Sequence, residues 1–191
     1  MSLLVVGLIL FLGIHSVSIV APAWRDKQIE RRGEKVWKGI YSLVSLAALI
    51  LLIHGYGVAR QDPLVLYAPP PALRLVALLL MLPVFPLLFA AYLPGRMQRA
   101  ARHPMLLAVM FWAAAHLLAN GTLADVLLFG GFFVWAVADW ISVQRRAVPR
   151  RVPGAPPSTL NDIAALAGGL LVYAGLLFWG HVWLSGVPLL R

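Results

Sequence analysis

The feature that most constrains this fold is a series of long apolar stretches separated by short polar loops. A helix needs about 20 apolar residues to cross a hydrocarbon core ~30 Å thick. Six stretches are long enough, and they lie roughly at 3–22, 39–58, 73–93, 105–121, 123–142 and 163–187. They take up most of a chain of 191 residues that is 61% hydrophobic. The sequence therefore predicts one all-α domain over residues 1–191, a polytopic bundle of six transmembrane helices.

Basic residues occur mainly in alternate loops, after the first, third and fifth stretches. Because Lys and Arg favour cytoplasmic loops, we expect the three basic loops in the cytoplasm and both termini on the opposite side of the membrane. The net charge of +9 does not indicate nucleic acid as a partner, since the cations are spread over short loops without a polar domain. We expect the first stretch to be a retained helix rather than a cleaved signal, because it lacks a cationic start.

Short polar motifs mark several helix ends. Thr122 with Asp125, and Thr159 with Asp162, have the spacing of capping boxes that begin the fifth and sixth spans. Gly121 is expected to end the fourth span in a left-handed conformation. The fourth and fifth spans should then be joined by very few residues.

Other polar and proline residues predict local features. Pro83 and Pro86 should kink the third span and free carbonyl groups near its middle. Residues 24–38 alternate in charge and suit a short interfacial helix. Asp139 is expected to pair with one of the two arginines that follow the fifth span.

Histidines inside the apolar stretches are the candidate site residues, because an imidazole in hydrocarbon needs a partner for its nitrogens. At about 1.5 Å per residue, His116 lies ~17 Å from the cytoplasmic end of the fourth span, and His15 lies ~10 Å from that of the first. His54 would be ~22 Å deep in the second span. Depth therefore permits either His15 or His54 to face His116, and it does not choose between them.

The neighbours of these histidines suit a flat cofactor. Trp112, His116 and Asn120 repeat every four residues beside small alanines, and Phe11 shares a face with His15. Such helix faces are typical of proteins that hold a porphyrin between two neutral imidazoles. The alternative is that each imidazole only bonds to a carbonyl or hydroxyl within the bundle and binds no metal.

The absence of cysteine narrows the metal chemistry. With no cysteine in the sequence, thiolate haem ligation, covalent c-type haem and thiolate-held iron–sulfur clusters are excluded. A zinc site is disfavoured, because no third or fourth ligand occurs at helical spacing.

Several strings of sequence resemble the NnrU family of bacterial membrane proteins, and together they cover nearly the whole chain. These strings are Gly13-Ile14-His15-Ser16, Tyr41-Ser42-Leu43, Arg102-His103-Pro104, the segment from Trp112 to Gly121, and Leu128-Phe129-Gly130-Gly131-Phe132. The resemblance implies an association with denitrification, in the expression or function of nitrite and nitric oxide reduction.

The NnrU family is similar in turn to 15-cis-ζ-carotene isomerase, whose haem b is held by two histidines. This similarity implies that His15 and His116 are the axial ligands of the iron. His54 and His103 also match histidines of that enzyme, which makes them candidate exchange ligands or neighbours of the haem. The present chain departs from the isomerase after its first ligand, where it reads His15-Ser16-Val17.

The leading hypothesis is an integral membrane haem b protein that acts as a redox or nitric oxide-responsive factor. Trp112 and Asn120 would line its site, and its partners would be the lipid bilayer, haem and, as a candidate ligand, nitric oxide. An alternative is a haem-dependent cis–trans isomerase of a polyene such as a carotenoid. A third hypothesis, a membrane methyltransferase, rests on the Arg102-His103-Pro104 string and ranks low, and a scaffold without cofactor is the fourth.

Overall fold

A computed structural model describes residues 1–146 and 154–190 of the chain. The described residues form two compact units, which we treat separately. Unit 1 contains 1–69 and 119–146, and unit 2 contains 70–118 and 154–190. Part of the basic loop after the fifth predicted span, including Arg150 and Arg151, falls outside the described residues.

Both units are built from helices. Those of unit 1 are α1 (Ser2–Val20), α2 (Pro22–Arg32), α3 (Glu34–Ala59) and α8 (Leu123–Gln144). Those of unit 2 are α4 (Ala72–Met81), α5 (Val84–Tyr92), α6 (Arg96–Ala101), α7 (Pro104–Ala119), α9 (Leu160–Gly175) and α10 (His181–Ser185), with a π-helical turn at Leu176–Gly180 between the last two. The predicted all-α class is confirmed.

The predicted number of membrane-spanning helices needs correction. In the described parts of the chain, five helical segments are long and apolar enough to cross a membrane, not six. The stretch expected at 105–121 forms α7, which has only 16 residues and so is about 24 Å long. Large apolar side chains such as Leu43 and Trp183 are 70% and 85% exposed, as suits a surface facing lipid. The protein is thus a polytopic membrane protein with five helices of spanning length.

The interfacial helix expected within 24–38 is present as α2 and is shorter than predicted. It ends at Gly33, whose φ of 85° favours glycine. The chain re-enters a helix at once, so α3 starts at Glu34 rather than near residue 39. Trp24 of α2 packs edge-on against Trp37 of α3, with ring centroids 5.8 Å apart.

Two glycines let α1 and α3 pack closely in unit 1. A Cβ added to Gly7 would lie 2.7 Å from the backbone nitrogen of Leu52 on α3. A Cβ on Gly55 of α3 would collide with the backbone nitrogen of Leu4 on α1. The two helices therefore run antiparallel in near backbone contact, which is how membrane helices gain packing energy without a hydrophobic driving force.

The two ends of unit 1 differ in charge. At one end, Arg146 at the end of α8 donates to the carbonyl oxygen of Ser18 on α1 at 3.3 Å. At the other end, Tyr56 of α3 donates to the carboxylate of Asp125 on α8 at 2.5 Å. We call the first the basic end, since it gathers Arg25, Lys27, Arg31, Arg32, Lys35, Lys38, Arg145 and Arg146.

The proline kink predicted in the third span is confirmed at Pro83, where α4 gives way to α5. The amide of Leu82 donates to Leu79 O at 3.3 Å, one residue short of the usual α-helical acceptor. That acceptor, the carbonyl of Leu78, instead accepts a hydrogen bond from the hydroxyl of Tyr173 on α9 at 3.0 Å. A carbonyl released by the kink thus ties α9 to α4.

One predicted capping motif is confirmed and one is wrong. Thr122 and Asp125 form a reciprocal capping box at the start of α8. Thr159 makes no side-chain cap on α9. The carboxylate of Asp162 instead accepts hydrogen bonds from the backbone amides of Arg96 and Met97, each at 2.9 Å, and so caps α6. The carboxylate satisfies amides of a neighbouring helix because that helix has no side-chain cap of its own.

The left-handed conformation predicted for Gly121 is also wrong. Among the described residues, the glycines with positive φ are Gly33 and Gly186. A Cβ on Gly121 would collide with the carbonyl oxygen of Tyr67, and the Gly121 carbonyl accepts from the amides of Leu66 and Tyr67 at 2.8 and 3.2 Å. Glycine is required there for a close backbone approach. The short connection between the fourth and fifth spans is nevertheless confirmed, since α7 ends at Ala119 and α8 begins at Leu123.

We predict that Gly55→Ala destabilises unit 1 by about 1–3 kcal/mol, because the added methyl group forces α1 and α3 apart. Thermal unfolding of the purified protein in detergent measures this effect. Gly57→Ala is the matched control, since a Cβ at Gly57 meets no atom within 4 Å. An unchanged melting temperature for Gly55→Ala would contradict the close packing.

Candidate functional site

His15 lies in the middle of a hydrogen-bonded turn of α1. Its Nδ1 is 2.6 Å from the carbonyl oxygen of Phe11, one turn earlier. A carbonyl oxygen only accepts hydrogen bonds, so Nδ1 carries the proton and Nε2 carries the lone pair of the neutral ring. This is the tautomer in which an imidazole binds a metal through Nε2.

Aromatic side chains from all three long helices of unit 1 surround the His15 ring. Phe11 stacks on it with ring centroids 4.2 Å apart. Tyr41 of α3 and Trp135 of α8 meet it edge-on at 5.1 and 5.9 Å. Phe132 of α8 packs in turn against Phe11 at 5.6 Å. We call these five residues the His15 cluster.

An ion pair lies on α8 between the His15 cluster and the basic end. Arg146 donates to the carboxylate of Asp139 at 2.8 Å, and both side chains are mostly buried. The same nitrogen, Nη2, also donates to Ser142 Oγ at 3.2 Å and to the Ser18 carbonyl. The pairing predicted for Asp139 is thus confirmed with Arg146. It ties the end of α8 to α1 one turn after His15.

His116 in unit 2 repeats the local geometry of His15. Its Nδ1 is 2.7 Å from the carbonyl oxygen of Trp112, one turn earlier on α7. The Trp112 ring lies beside the imidazole, with centroids 5.2 Å apart. By the same argument, Nδ1 is the protonated nitrogen and Nε2 the one with the lone pair. Each of the two histidines therefore carries an aromatic residue and a carbonyl acceptor four positions before it.

Asn120 does not extend the helical face of His116. The α-helix ends at Ala119, and Asn120 belongs to unit 1. Its carbonyl oxygen accepts a hydrogen bond from the hydroxyl of Tyr67 at 2.8 Å. The predicted stripe therefore holds for Trp112 and His116 and is wrong for Asn120.

His54 is exposed and lies away from the His15 cluster. In the antiparallel pair of α1 and α3, Gly55 contacts Leu4, whereas Tyr41 contacts His15. The two histidines are therefore separated by about 15 Å along the pair, at 1.5 Å per residue. His15 and His54 therefore lie at different levels of unit 1, and a role for His54 beside haem stays a prediction.

His103 lies in a strained turn that starts α7. Arg102 has φ 58° and ψ −52°, and the His103 amide is 2.6 Å from the Ala101 carbonyl, which together define a γ-turn with positive φ. The His103 carbonyl accepts from the amides of Leu106 and Leu107 in the first turn of α7. About 20 Å of helix separates His103 from His116, so the two histidines lie at opposite ends of α7.

The His181 side chain makes hydrogen-bond contacts at the C-terminal end of α10. Its Nδ1 lies 2.7 Å from the carbonyl of Val187, and Ser185 Oγ lies 3.1 Å from the same nitrogen. These contacts close the last turn of α10 before Gly186, whose φ is 74°. His181 therefore has a structural role at the chain's last described helix.

The donor chemistry of His15 and His116 fits a haem iron. Among the described residues, no three His, Asp or Glu side chains come together as a possible metal site. A haem iron takes four ligands from the porphyrin and needs only axial imidazoles from the protein. Nitrogen donors with a fixed tautomer and aromatic neighbours supply this kind of ligation.

Sequence reasoning did not identify Tyr41 and Trp135 as neighbours of His15. A signal for Trp135 exists, because Phe132, Trp135 and Asp139 lie at helical spacing on one face of α8. No comparable signal exists for Tyr41, whose position depends on the antiparallel register of α1 and α3.

We predict that Asp139→Asn lowers the stability of the protein by about 1–3 kcal/mol, because Arg146 then lacks its carboxylate partner in a mostly buried position. The melting temperature in detergent measures the loss. Asp26→Asn is the control, since Asp26 pairs with Arg25 near the surface and is 56% exposed. Equal effects of the two substitutions would show that the Asp139 pair is no stronger than an exposed one.

Comparison with known proteins agrees with the sequence motifs. Neither a curated protein nor a solved structure matches the chain. The sequence model described as NnrU protein matches residues 3–189, a range that includes both His15 and His116. Because this match covers nearly the whole chain, the protein belongs to the NnrU family.

Proposed function

We propose that this protein is an integral membrane haem b protein with His15 and His116 as axial ligands. The observation that carries the proposal is the shared geometry of the two imidazoles. Each donates its Nδ1–H to a carbonyl of its own helix, at 2.6 and 2.7 Å. Each ring also packs against the aromatic residue one turn before it, Phe11 or Trp112.

In this proposal the two imidazoles act as ligands of the haem iron. The carbonyl bond fixes the imidazole tautomer and raises the basicity of Nε2, which strengthens its bond to a metal. The aromatic neighbours place an apolar ring beside each imidazole. When bound, haem would supply redox change and the capacity to bind a diatomic gas.

The family association points to denitrification as the process that uses this chemistry. Nitric oxide binds ferrous haem, so a histidine that leaves the iron would allow the gas to take its place. We therefore propose a redox or nitric oxide-responsive role in nitrite and nitric oxide reduction. Membership of the NnrU family supports this role.

We predict that protein expressed with added haem and purified in detergent shows a Soret band and the sharp visible bands of six-coordinate reduced haem. His15→Ala and His116→Ala should each reduce the haem content at least about tenfold or convert the spectrum to a high-spin form. Absorption spectra of the oxidised and the dithionite-reduced protein measure both effects.

Two histidine variants serve as controls for this experiment. His181→Ala should keep the spectrum, because His181 closes the end of α10. His54→Ala should keep it as well, since His54 is exposed and distant from His15. A colourless wild-type protein, or loss of the spectrum in His54→Ala but not in His15→Ala, would overturn the proposed ligands.

We further propose that the protein lies in the bacterial inner membrane with its basic end in the cytoplasm. Basic residues gathered at one end of unit 1 support this orientation, since Lys and Arg favour the cytoplasmic side. Both termini then face the periplasm. This arrangement requires the short helix α7 to cross, which a locally thinned bilayer allows.

We predict that α7 crosses the membrane, and single cysteines can test this because the sequence has none. A membrane-impermeant maleimide added to intact cells should label Gln61→Cys and Ala119→Cys, and it should not label Lys35→Cys and Ala100→Cys until the cells are broken. All four positions are exposed. Labelling of Ala100→Cys and Ala119→Cys from the same side would contradict a crossing by α7.

A further inference from the structure

Trp135 carries a buried hydrogen-bond donor inside the His15 cluster. Its Nε1 is shielded from solvent and has no acceptor among the described residues. The indole stands perpendicular to the His15 ring at 5.9 Å between centroids. A buried N–H without a partner is unfavourable, because it has lost its hydrogen bond to water. A bound molecule that offers an acceptor at this place would satisfy the indole N–H.

The proposed haem ligation identifies the chemistry of this acceptor. The four pyrrole nitrogens of a haem are occupied by the iron, and its methyl and vinyl groups accept no conventional hydrogen bond. Its two propionate carboxylates are thus the acceptors at the porphyrin edge. A carboxylate in apolar surroundings needs donors or cations, because burying it alone is costly.

The surroundings of Trp135 indicate the direction in which such carboxylates would point. Asp139 follows Trp135 by one turn on α8, toward the basic end, and is paired with Arg146. The hydrogen bonds of Arg146 to Asp139, Ser142 and Ser18 all use Nη2. A guanidinium carries five N–H groups, including those on Nη1 and Nε. A haem propionate beside Trp135 would lie near the Arg146 guanidinium as well as the indole N–H.

We propose that Trp135 is a haem-binding residue whose indole N–H donates to a haem propionate, and that the propionates face the basic end of unit 1. This inference rests on the proposed ligation by His15 and adds the orientation of the cofactor. Unit 1 would then hold the edge of the porphyrin that carries the two carboxylates. Arg146 supplies the positive charge next to that edge.

Reconstitution of the apo-protein with haem b and with its dimethyl ester tests the inference. The ester has the same ring and iron but no free carboxylate. Wild type should bind haem b at least about tenfold more tightly than the ester, as hydrogen bonds to charged groups predict. Trp135→Phe keeps an aromatic ring without the donor, so it should reduce this preference roughly fivefold and change the affinity for the ester, whose carbonyls are weaker acceptors, much less. Soret titrations give all four dissociation constants.

Matched variants distinguish loss of the indole hydrogen bond from an effect on folding. Trp140→Phe lies on the same helix and should keep the wild-type preference. Arg146→Gln should reduce the preference as Trp135→Phe does. Because it also leaves Asp139 unpaired, its effect is read only from the ratio of the two dissociation constants. The ester is an internal control, because a misfolded variant loses affinity for both porphyrins.

The outcomes distinguish this inference from the proposed function. A wild-type protein that binds neither porphyrin overturns both. Equal binding of haem b and ester by wild type leaves the haem function standing and overturns the propionate contact. If Trp135→Phe weakens both porphyrins equally, or changes neither, the indole acts through packing or bonds to water, and the inference fails.

Discussion

The constraint on which the rest of this structure depends is that polar groups in hydrocarbon need hydrogen-bond partners. The carbonyl of Leu78, released by the kink at Pro83, is met by the hydroxyl of Tyr173 from another helix. The carboxylate of Asp125 accepts from Tyr56 as well as from its own capping motif. Apolar side chains cover the helices of spanning length and give little indication of which of their faces meet. Polar contacts therefore restrict which helix faces meet, because an unmatched pairing would leave a donor or acceptor buried alone. Glycines set the close approach of α1 and α3.

The same constraint explains the local geometry of His15 and His116 within their own helices. An imidazole has one donor and one acceptor nitrogen when neutral, and a helix offers carbonyl oxygens but no spare N–H groups. His15 and His116 each satisfy the donor on a carbonyl one turn earlier. The other ring nitrogen, Nε2, carries the lone pair in both histidines. In both cases the aromatic ring one turn earlier also packs beside the half-buried imidazole.

The sequence predicts the features of this structure that depend on residues close together in the chain, and it misses those that depend on distant contacts. The interfacial helix, the kink at Pro83 and the capping box at Thr122 depend on neighbouring residues, and all three were predictable. The end of α7 was not, because the backbone of Leu66 and Tyr67 binds Gly121 and holds that segment out of a helix. The partner of Asp162 was missed for the same reason, since the amides it caps lie 65 residues or more away. The ring of aromatic residues around His15 likewise depends on helix pairing, which hydropathy does not encode.

The residues of the Arg102-His103-Pro104 string shape the backbone turn that precedes α7. Proline at the first position of α7 disfavours a helical conformation for the residue before it. The positive φ of Arg102 reverses the chain after α6, at a strain cost of about 1–3 kcal/mol. The carbonyl of His103 then accepts the first hydrogen bonds of α7. These backbone contacts account for the proline and for the turn, and they fix His103 a full helix length from His116. The motif therefore sets where α7 begins, and through that the position of the histidine near its other end.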